Sequence, residues 1–376
     1  MGASRFVITA DDRSGALETA AACADLGWPA TVVRWDVAGS ADARVIDLDS
    51  RHAGPDDGAI RIGALVAGEA GHSVRAHKID STLRGQWSSE VMAYVRAGRR
   101  VLLVPAHPLA GRTCSAGVVS VGGVPVHLSE HGVDRRSPAT TSRPAAALHG
   151  AEELASAEAV RRWLSGGDAR STVAVADASS VQHLADVMAE VRAAGSDDLL
   201  VCGPSAVVAA AVASPPRSRT VIAPLVPPVL VVVGSLHPVS RRQVAALAGR
   251  GIEVITVAAV DAAPDRIPSG PVAVIATSAE FEPASIGIGD GPSRHLAGVA
   301  LRAMTQFHPA TVLVVGGDTA GALLGAAAVR MVGSLALGVA VGSWRIGGRE
   351  VTIVAKPGAF GHDDTLVDLM QHLMSR

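Results

Sequence analysis

Short apolar runs alternate with longer amphipathic stretches along most of the chain. Runs such as 101–105, Val229–Val233 and 312–315 are continuous in apolar residues, whereas stretches such as Trp87–Arg96 and 292–307 have helical periodicity. Strands buried on both faces have this continuous apolar character, and strands that alternate with helices form parallel sheets. The pattern therefore predicts an α/β fold with mostly parallel sheets.

The alternation is interrupted at two places. Residues 106–150 are rich in Gly, Ser, Pro, Arg and His, and a segment of this length without clear elements is often functional. Residues 214–228 contain five prolines, which lack a backbone donor and fix φ, so regular helix and central strand are excluded there. We therefore predict two domains, residues 1–220 and residues 228–376.

Composition narrows the classes of function. Charged residues make up 18% of the 376 residues with a formal net charge of −2, and aromatic residues make up 3%, so nucleic acid is not expected as a partner. The three cysteines, Cys23, Cys114 and Cys202, are far apart and indicate a reduced, cytoplasmic compartment. The N-terminus lacks signal-peptide features and the apolar runs are too short to span a bilayer, so no membrane partner is expected.

A pair of carboxylates follows the first predicted strand. In the stretch ITADDRSGALETA at 8–20, Asp11 and Asp12 lie where ligands of open α/β sheets bind, at the carboxyl end of a strand. Either residue could accept hydrogen bonds from a polyol or act as a base. Either could instead cap the helix that follows.

A second polar loop follows the strand that ends at Lys78. The stretch HKIDSTLRGQWSSE at 77–90 brings Asp80, Ser81 and Arg84 into one strand-to-helix loop. Arg makes bidentate bonds to carboxylates and phosphates, and hydroxyls beside it suit a polyhydroxy acid. The alternative is a solvated loop whose Asp or Ser caps the helix.

A third loop, PAHPLAGRTCSAG at 105–117, places Arg112 on a tight turn. His107 could serve acid–base chemistry, although a single loop histidine is more often a packing residue. Cys114 has no neighbouring histidine in the sequence to activate it, so we do not predict a nucleophile.

The strongest candidate in the C-terminal half is the Gly-Gly-Asp-Thr turn after 312–315. Gly316 and Gly317 allow backbone amides to approach a phosphate, and the start of the next helix adds a favourable dipole. Asp318 could orient Mg²⁺, and Thr319 completes the turn. The alternative is a tight turn with Asp318 as the helix cap, and the sequence matches neither the Walker nor the GxGxxG pattern.

Two weaker glycine turns complete the set. Gly234 and Ser235 follow the first strand of the second domain, and Gly358 and Gly361 follow the strand that ends at Lys356. A nucleotide pocket would need several such turns, but any α/β domain has them.

The chain resembles the four-carbon acid sugar kinase family over nearly its whole length. The resemblance rests on six stretches in this order: ADDRSGA, KIDSTLRG, PAHPLAGRT, Gly-Ser at 234, GGDTA and KPGAFG. The resemblance implies an N-terminal sugar-acid-binding domain and a C-terminal nucleotide-binding domain with an active-site cleft between them. It also implies ATP-dependent phosphorylation of threonate, erythronate or 3-oxo-tetronate. Arg13, His107 and Pro357 depart from the usual residues of the family.

The resemblance also implies roles for individual residues. The implied sugar-acid contacts are Asp12, Ser81 and Arg84, with Lys78, Asp80 and Arg112 as further candidates. The implied ATP contacts are Ser235, Gly316, Gly317, Asp318, Thr319, Gly358 and Gly361. For catalysis we expect Arg84 to hold the substrate carboxylate, Asp12 to orient the hydroxyl, and Asp318 to serve the metal or phosphate side.

Two other functions are compatible with the residues. One is a nucleotide-binding or sugar-acid-binding protein without turnover, and the other is an NAD-dependent oxidoreductase, which the absence of GxGxxG disfavours. The expected cofactors are ATP and Mg²⁺, the expected partner is a small sugar acid, and a homo-oligomer is allowed.

Overall fold

The protein divides into two compact units, Met1–Ser218 and Arg219–Arg376. The computed structural model describes residues 6–39, 41–68, 73–134, 137–166, 171–212, 222, 226–257, 270–278 and 291–374, with side chains described up to residue 371. Most of the proline-rich stretch 214–228 lies outside these residues. No helix in the described ranges is long and apolar enough to cross a membrane.

The N-terminal unit alternates strands and helices as the hydrophobic pattern predicts. Its strands are β1 (Phe6–Ala10), β2 (Ala30–Arg34), β3 (Ala43–Asp47), β4 (Val74–Lys78), β5 (Arg100–Leu103), β6 (Arg112–Ser115), β7 (Val118–Val121), β8 (Val124–Pro125), β9 (Glu152–Leu154), β10 (Val173–Ala176) and β11 (Leu199–Gly203). Its helices are α1 (Arg13–Asp25), α2 (Asp57–Ala67), α3 (Trp87–Arg96), α4 (Pro144–Ala147), α5 (Ala157–Leu164), α6 (Val181–Ala194) and α7 (Ser205–Val212).

The main sheet of this unit is parallel, in the order β2-β3-β1-β4-β11-β5-β10-β9. Its register brings three strand ends level, because Ala10 pairs with both Asp47 and Lys78. The turns that follow β1, β3 and β4 therefore begin side by side at the carboxyl edge of the sheet, where ligands of such sheets bind.

The segment 106–150 and its surroundings depart most from simple alternation. It contains a small antiparallel sheet, β6-β7-β8, and short helical turns. The sequence near 152–165 predicts a single helix, but this prediction is wrong at its start, because Glu152–Leu154 forms β9 and only Ala157–Leu164 is helical. Pairing of β9 with β10 at the edge of the main sheet outweighs the helical preference of its residues.

The C-terminal unit has a second sheet. Its strands are β12 (Val229–Val233), β13 (Val254–Val257), β14 (Val272–Thr277), β15 (Thr311–Val315), β16 (Val329–Ala336), β17 (Val339–Ile346) and β18 (Arg349–Lys356). Its helices are α8 (Pro238–Gly249), α9 (Gly291–Phe307), α10 (Gly317–Leu324) and α11 (Thr365–Met374).

This second sheet has the order β13-β14-β12-β15-β18-β17-β16, parallel except for antiparallel β17 and β16. Val315 pairs with both Val233 and Lys356, so the turns after β12, β15 and β18 also begin level. The predicted α/β class with mostly parallel sheets is confirmed, and in both units level strand ends bring candidate loops together.

Candidate active-site clusters

The two carboxylates after β1 have different surroundings. Asp12 caps α1, since its Oδ1 accepts a hydrogen bond of 2.9 Å from the amide of Gly15. The Ser14 hydroxyl donates to Asp12 Oδ2 at 2.6 Å. Asp11 is almost completely buried, with 1% of its surface exposed. Asp12 therefore caps α1, and it also lies beside cationic side chains.

Arg51, in the turn after β3, bridges both carboxylates. Its Nε and Nη2 donate to Asp11 at 2.7 and 2.9 Å, and its Nη1 and Nη2 donate to Asp12 at 2.9 and 2.8 Å. The guanidinium thus holds two carboxylates in fixed positions through charge-assisted bonds. The sequence motifs do not indicate a role for Arg51, because its partners lie about forty positions away in the chain.

Lys78 approaches the same pair from the end of β4. Its Nζ lies 3.4 Å from Asp11 Oδ1 and 3.5 Å from Asp12 Oδ1. The lysine passes over the first turn of α1, where a β-carbon on Gly15 would be 2.2 Å from Nζ. Because Gly15 has no side chain, Lys78 can reach the two carboxylates.

Asp80 joins the loop after β4 to these groups. Its carboxylate accepts from Arg84 Nε and Nη2 at 3.0 Å each and from the amide of Thr82 at 3.1 Å. Its Oδ1 also lies 3.6 Å from Arg51 Nη2. Arg84 Nη1 donates to Asp134 at 3.1 Å, so two carboxylates of the chain hold this guanidinium. We call Asp11, Asp12, Arg51, Lys78, Asp80 and Arg84 the charged cluster.

Neighbouring charges shift the pKa values of several groups in the charged cluster. Burial opposes the charge of Asp12, but Arg51 and Lys78 outweigh it and hold the pKa of Asp12 far below its usual value. Burial likewise opposes the charge of Asp80, and Arg84 with Arg51 lowers its pKa. Burial disfavours the charge of Lys78, yet Asp11 and Asp12 raise its pKa. Each charge is thus stabilised by oppositely charged neighbours.

The other two predicted sugar-acid residues lie near this cluster. Ser81 is half-buried in the same turn as Asp80. Arg112 is half-buried on β6, and burial lowers its pKa while the charge of Asp80 raises it and that of Arg84 lowers it further. The guanidinium of Arg112 therefore lies within electrostatic range of the cluster.

In the C-terminal unit, three glycine turns converge. A β-carbon on Gly358 would lie 2.0 Å from Ser235 Oγ, and one on Gly316 would lie 3.3 Å from the Ser235 amide nitrogen. Gly316 has φ of +111°, which glycine tolerates and other residues disfavour. A β-carbon on Gly234 would lie 1.9 Å from Thr319 Oγ1. The turns after β12, β15 and β18 therefore form one surface, at which glycines of one turn pack closely against Ser235 or Thr319 of another.

The first turn of α10 adjoins this surface. It contains Gly317, exposed Asp318 and buried Thr319. Amides at a helix start attract anions, so this turn suits a phosphate. Among the described residues, no group of three or more His, Cys, Asp or Glu side chains could hold a metal ion.

Side chains from α8 and β18 fix the carbonyls of the turn after β18. Lys356 Nζ donates to the carbonyls of Pro357 and Phe360 at 2.9 and 2.7 Å. Ser240 Oγ donates to the carbonyl of Gly358 at 2.7 Å, and Gln243 Nε2 donates to that of Phe360 at 3.1 Å. These contacts define the shape of the loop that carries Gly358.

Gly361 lies at the far end of this loop. Its φ is +86°, and a β-carbon there would lie 2.4 Å from Thr365 Oγ1. The residue therefore shapes the entry to α11, directly after Phe360, whose carbonyl is held by Lys356 and Gln243.

The positions of the lysines in the sequence could have indicated both the charged cluster and the glycine turns of the C-terminal unit. Lys78 and Lys356 are the only lysines in the chain, and each is the last residue of a strand that enters a candidate loop. Both are buried, with 5% and 2% of their surfaces exposed. A cation that is rare in the sequence and buried at a strand end is a candidate functional residue.

Comparison with known proteins finds two family matches along the chain. Residues 6–211 match the family described as sugar-binding N-terminal domain, and residues 230–366 match nucleotide-binding C-terminal domain. The chain is 30% identical to the D-threonate kinase of Bordetella bronchiseptica, with 100% of this chain and 99% of that protein covered. It is 31% identical to the D-threonate kinase of Cupriavidus necator, with 86% of each covered.

Solved structures share the fold. A protein from Salmonella typhimurium LT2 superposes with a TM-score of 0.73 at 20% identity, covering 97% of this chain and 98% of that one. A Haemophilus influenzae protein superposes with a TM-score of 0.68 at 19% identity, covering 98% and 100%. The family resemblance predicted from the motifs is confirmed by the matches to both domains. The chain belongs to the four-carbon acid sugar kinase family and is therefore a sugar acid kinase, a phosphotransferase with an alcohol group as acceptor.

Proposed function

We propose that this protein uses ATP and Mg²⁺ to phosphorylate a hydroxyl group of a four-carbon sugar acid such as threonate, erythronate or 3-oxo-tetronate. The observation that carries the proposal is the convergence of three cations and three carboxylates at the level ends of β1, β3 and β4. A sugar acid presents one carboxylate and several hydroxyls, and this charged cluster offers donors for the first and acceptors for the second.

Arg84 is the residue that we assign to the substrate carboxylate. It is the most exposed cation of the charged cluster, with 27% of its side chain accessible, against 9% for Arg51 and 6% for Lys78. Its Nη1 contacts Asp134, whose side chain is 28% accessible, so an incoming carboxylate can replace that partner without disturbing the buried bonds to Asp80. Ser81 and Arg112 are further candidates for contacts with the acid.

Asp12 is suited to orient the substrate hydroxyl. The cations around it keep it ionised, so it accepts a hydrogen bond at any pH near neutrality but is a weak base. Phosphoryl transfer passes through a loose transition state in which positioning and charge neutralisation supply most of the catalysis. A fixed acceptor is therefore sufficient, and strong proton abstraction before transfer is not required.

The nucleotide is assigned to the C-terminal unit. Gly316 and Gly358 lack the β-carbons that would collide with or crowd Ser235, so the turns after β12, β15 and β18 lie close enough together to contact one nucleotide. When bound, Mg²⁺ would neutralise phosphate charge, and we assign the exposed carboxylate of Asp318 to the metal or its waters. Ser235, Gly317, Thr319 and Gly361 complete the proposed nucleotide contacts.

A coupled assay of ADP release, run with ATP and a panel of four-carbon acids, tests the proposal. We expect turnover with at least one acid. Arg84→Ala should raise the KM for the acid, and Asp318→Ala should lower kcat or raise the KM for ATP. ATP binding without turnover on any acid would contradict the proposal and favour a protein that binds without catalysis.

A further inference from the structure

A second polar layer lies directly beneath the charged cluster. Thr9, Ser50, His77, Glu90 and Tyr94 are completely buried, each with 0% of its surface exposed. They come from β1, the turn after β3, β4 and α3, and none has a role in the proposed contacts with substrate. A buried polar layer of this kind is stable only if its donors and acceptors are matched.

Glu90 is the centre of this layer. Its Oε2 lies 3.0 Å from His77 Nε2, and its Oε1 accepts a hydrogen bond from the Ser50 hydroxyl. The other ring nitrogen, His77 Nδ1, lies 2.9 Å from Thr9 Oγ1, which lies 2.6 Å from the Tyr94 hydroxyl. One carboxylate thus connects two strands, a turn and a helix.

Every side chain of this layer has a hydrogen-bonding partner within it. Ser50 donates to Glu90, and the other oxygen of Glu90 lies within hydrogen-bond distance of His77 Nε2. Thr9 and Tyr94 continue the network from His77 Nδ1. The burial of these polar groups is therefore compensated by contacts inside the layer.

The layer is connected to the charged cluster through the backbone. Ser50 directly precedes Arg51, and His77 directly precedes Lys78. The amides of Ser50 and Arg51 both donate to the carbonyl of Asp11, at 2.9 and 3.1 Å. The turn enters through a residue with φ of +51°, Asp49, a conformation that costs free energy unless the surroundings hold it.

We infer that Glu90 is a positioning residue for sugar-acid recognition: through Ser50 and His77 it fixes the backbone from which Arg51 and Lys78 reach the cluster. The inference rests on the proposed assignment of the acid to the charged cluster. Glu90 itself is buried beneath that cluster and acts only through its neighbours.

The charge of Glu90 supports this role. Burial opposes ionisation, but the hydrogen bonds from His77 and Ser50 outweigh it and lower the pKa of Glu90. An apolar side chain of similar volume would fill the space at a lower cost than a buried carboxylate. We therefore attribute the presence of a carboxylate at position 90 to the geometry that it imposes on the turn, and not to a gain in stability.

Glu90→Gln is the first test, because the amide keeps the shape and removes one acceptor and the charge. We expect the KM for the sugar acid to rise about tenfold or more while the KM for ATP changes by less than about twofold, since only the acid-binding loops lose their support. Hydrogen exchange at the Ser50 and Arg51 amides, measured by NMR, should become faster in the same variant.

Two glycines of α2 provide a matched pair of further variants. A β-carbon on Gly58 would lie 2.4 Å from Glu90 Oε1, whereas nothing lies within 4 Å of one on Gly63. Gly58→Ala should therefore reproduce the Glu90→Gln effects on the acid KM and on amide exchange. Gly63→Ala should leave both unchanged, although both substitutions favour the helix to the same extent.

The outcomes separate this inference from the proposed function. Unchanged exchange at Ser50 and Arg51 in Glu90→Gln would overturn the inference whatever the substrate is, because that measurement needs no acid. Faster exchange with an unchanged acid KM would also overturn it, since the turn would then be supported without serving recognition. If the wild-type enzyme turned over no acid, the proposed function would fail, and with it the recognition role of Glu90.

Discussion

Gly358 and Ser235 lie so close that a β-carbon on the glycine would be 2.0 Å from the serine Oγ. These residues follow β18 and β12, which are separated in the sheet by β15. The contact brings the two outer glycine turns together across the central one. The proposed nucleotide site is thus built from turns more than one hundred residues apart in sequence.

Gly358→Ala should weaken nucleotide binding selectively. The added methyl group must displace Ser235 or the loop, so we expect the KM for ATP to rise at least about tenfold, equivalent to about 1.4 kcal/mol, while the KM for the acid stays the same. Steady-state kinetics measure both constants. Gly249→Ala, at a site with nothing within 4 Å of a β-carbon, is the control. Partial recovery in the double variant with Ser235→Gly would identify the clash as the cause.

Arg51→Lys should impair acid binding and stability together. Lysine keeps the charge but cannot make the bidentate bonds to Asp11 and Asp12. Removing such bonds from a buried pair costs more than from an exposed one, so we expect a loss of about 2–4 kcal/mol in denaturant unfolding and a clear rise in the acid KM.

Arg34→Lys is the matched control for this variant. Arg34 also makes a two-bond contact, with Asp36, but both side chains are 35% exposed. An exposed pair contributes less than about 1 kcal/mol, so this variant should behave like the wild type. Equal losses in the free energy of unfolding of the two variants would show that burial does not strengthen the contacts of Arg51.

Gly15→Ala should affect the acid with little cost to the fold. The β-carbon would lie 2.2 Å from Lys78 Nζ and 2.7 Å from Asp12 Oδ1, so the flexible end of the lysine must move away. We expect the acid KM to rise several-fold and the melting temperature to fall by no more than a few degrees. An unchanged acid KM would show that Lys78 is not needed at its observed position.

The pKa values of the two lysines should be shifted in opposite directions from the usual value. Burial lowers the pKa of Lys356 to about 8, whereas Asp11 and Asp12, against the effect of burial, raise the pKa of Lys78 above its usual value. Because the chain has no other lysine, labelling with ¹⁵N at Nζ gives one signal for each. A Lys356 signal that titrates near its ordinary pKa of 10.5 would contradict the effect of burial.

The lowered pKa of Lys356 also predicts how stability depends on pH. Between about pH 8 and 10.5 the unfolded chain binds the proton and the folded chain does not, so the free energy of unfolding rises with pH in this window. Each pKa unit corresponds to about 1.4 kcal/mol, and Lys356→Met should lose this rise. Denaturant unfolding of both proteins, at a pH below this window and at a pH within it, measures the difference.

Local sequence patterns predicted most elements of both sheets because those strands and helices have strong periodicity. Trp87–Arg96 forms the helix, and Val229–Val233 the strand, that their patterns predict. The start of the predicted helix at 152–165 failed because an edge strand is decided by its partner, β10. The domain division and the roles of the individual site residues stay predictions.

The α/β alternation, the glycine turns and the loops that carry Asp12, Arg84 and Asp318 were predictable from local patterns, since each depends on neighbours within a few positions. The bridge from Arg51 to Asp11 and Asp12, and the contact of Glu90 with the turn, depend on the tertiary structure. The physical reason is register: pairing of β1 with β3 and β4 brings these strand ends level, and no local pattern specifies which distant side chains then meet.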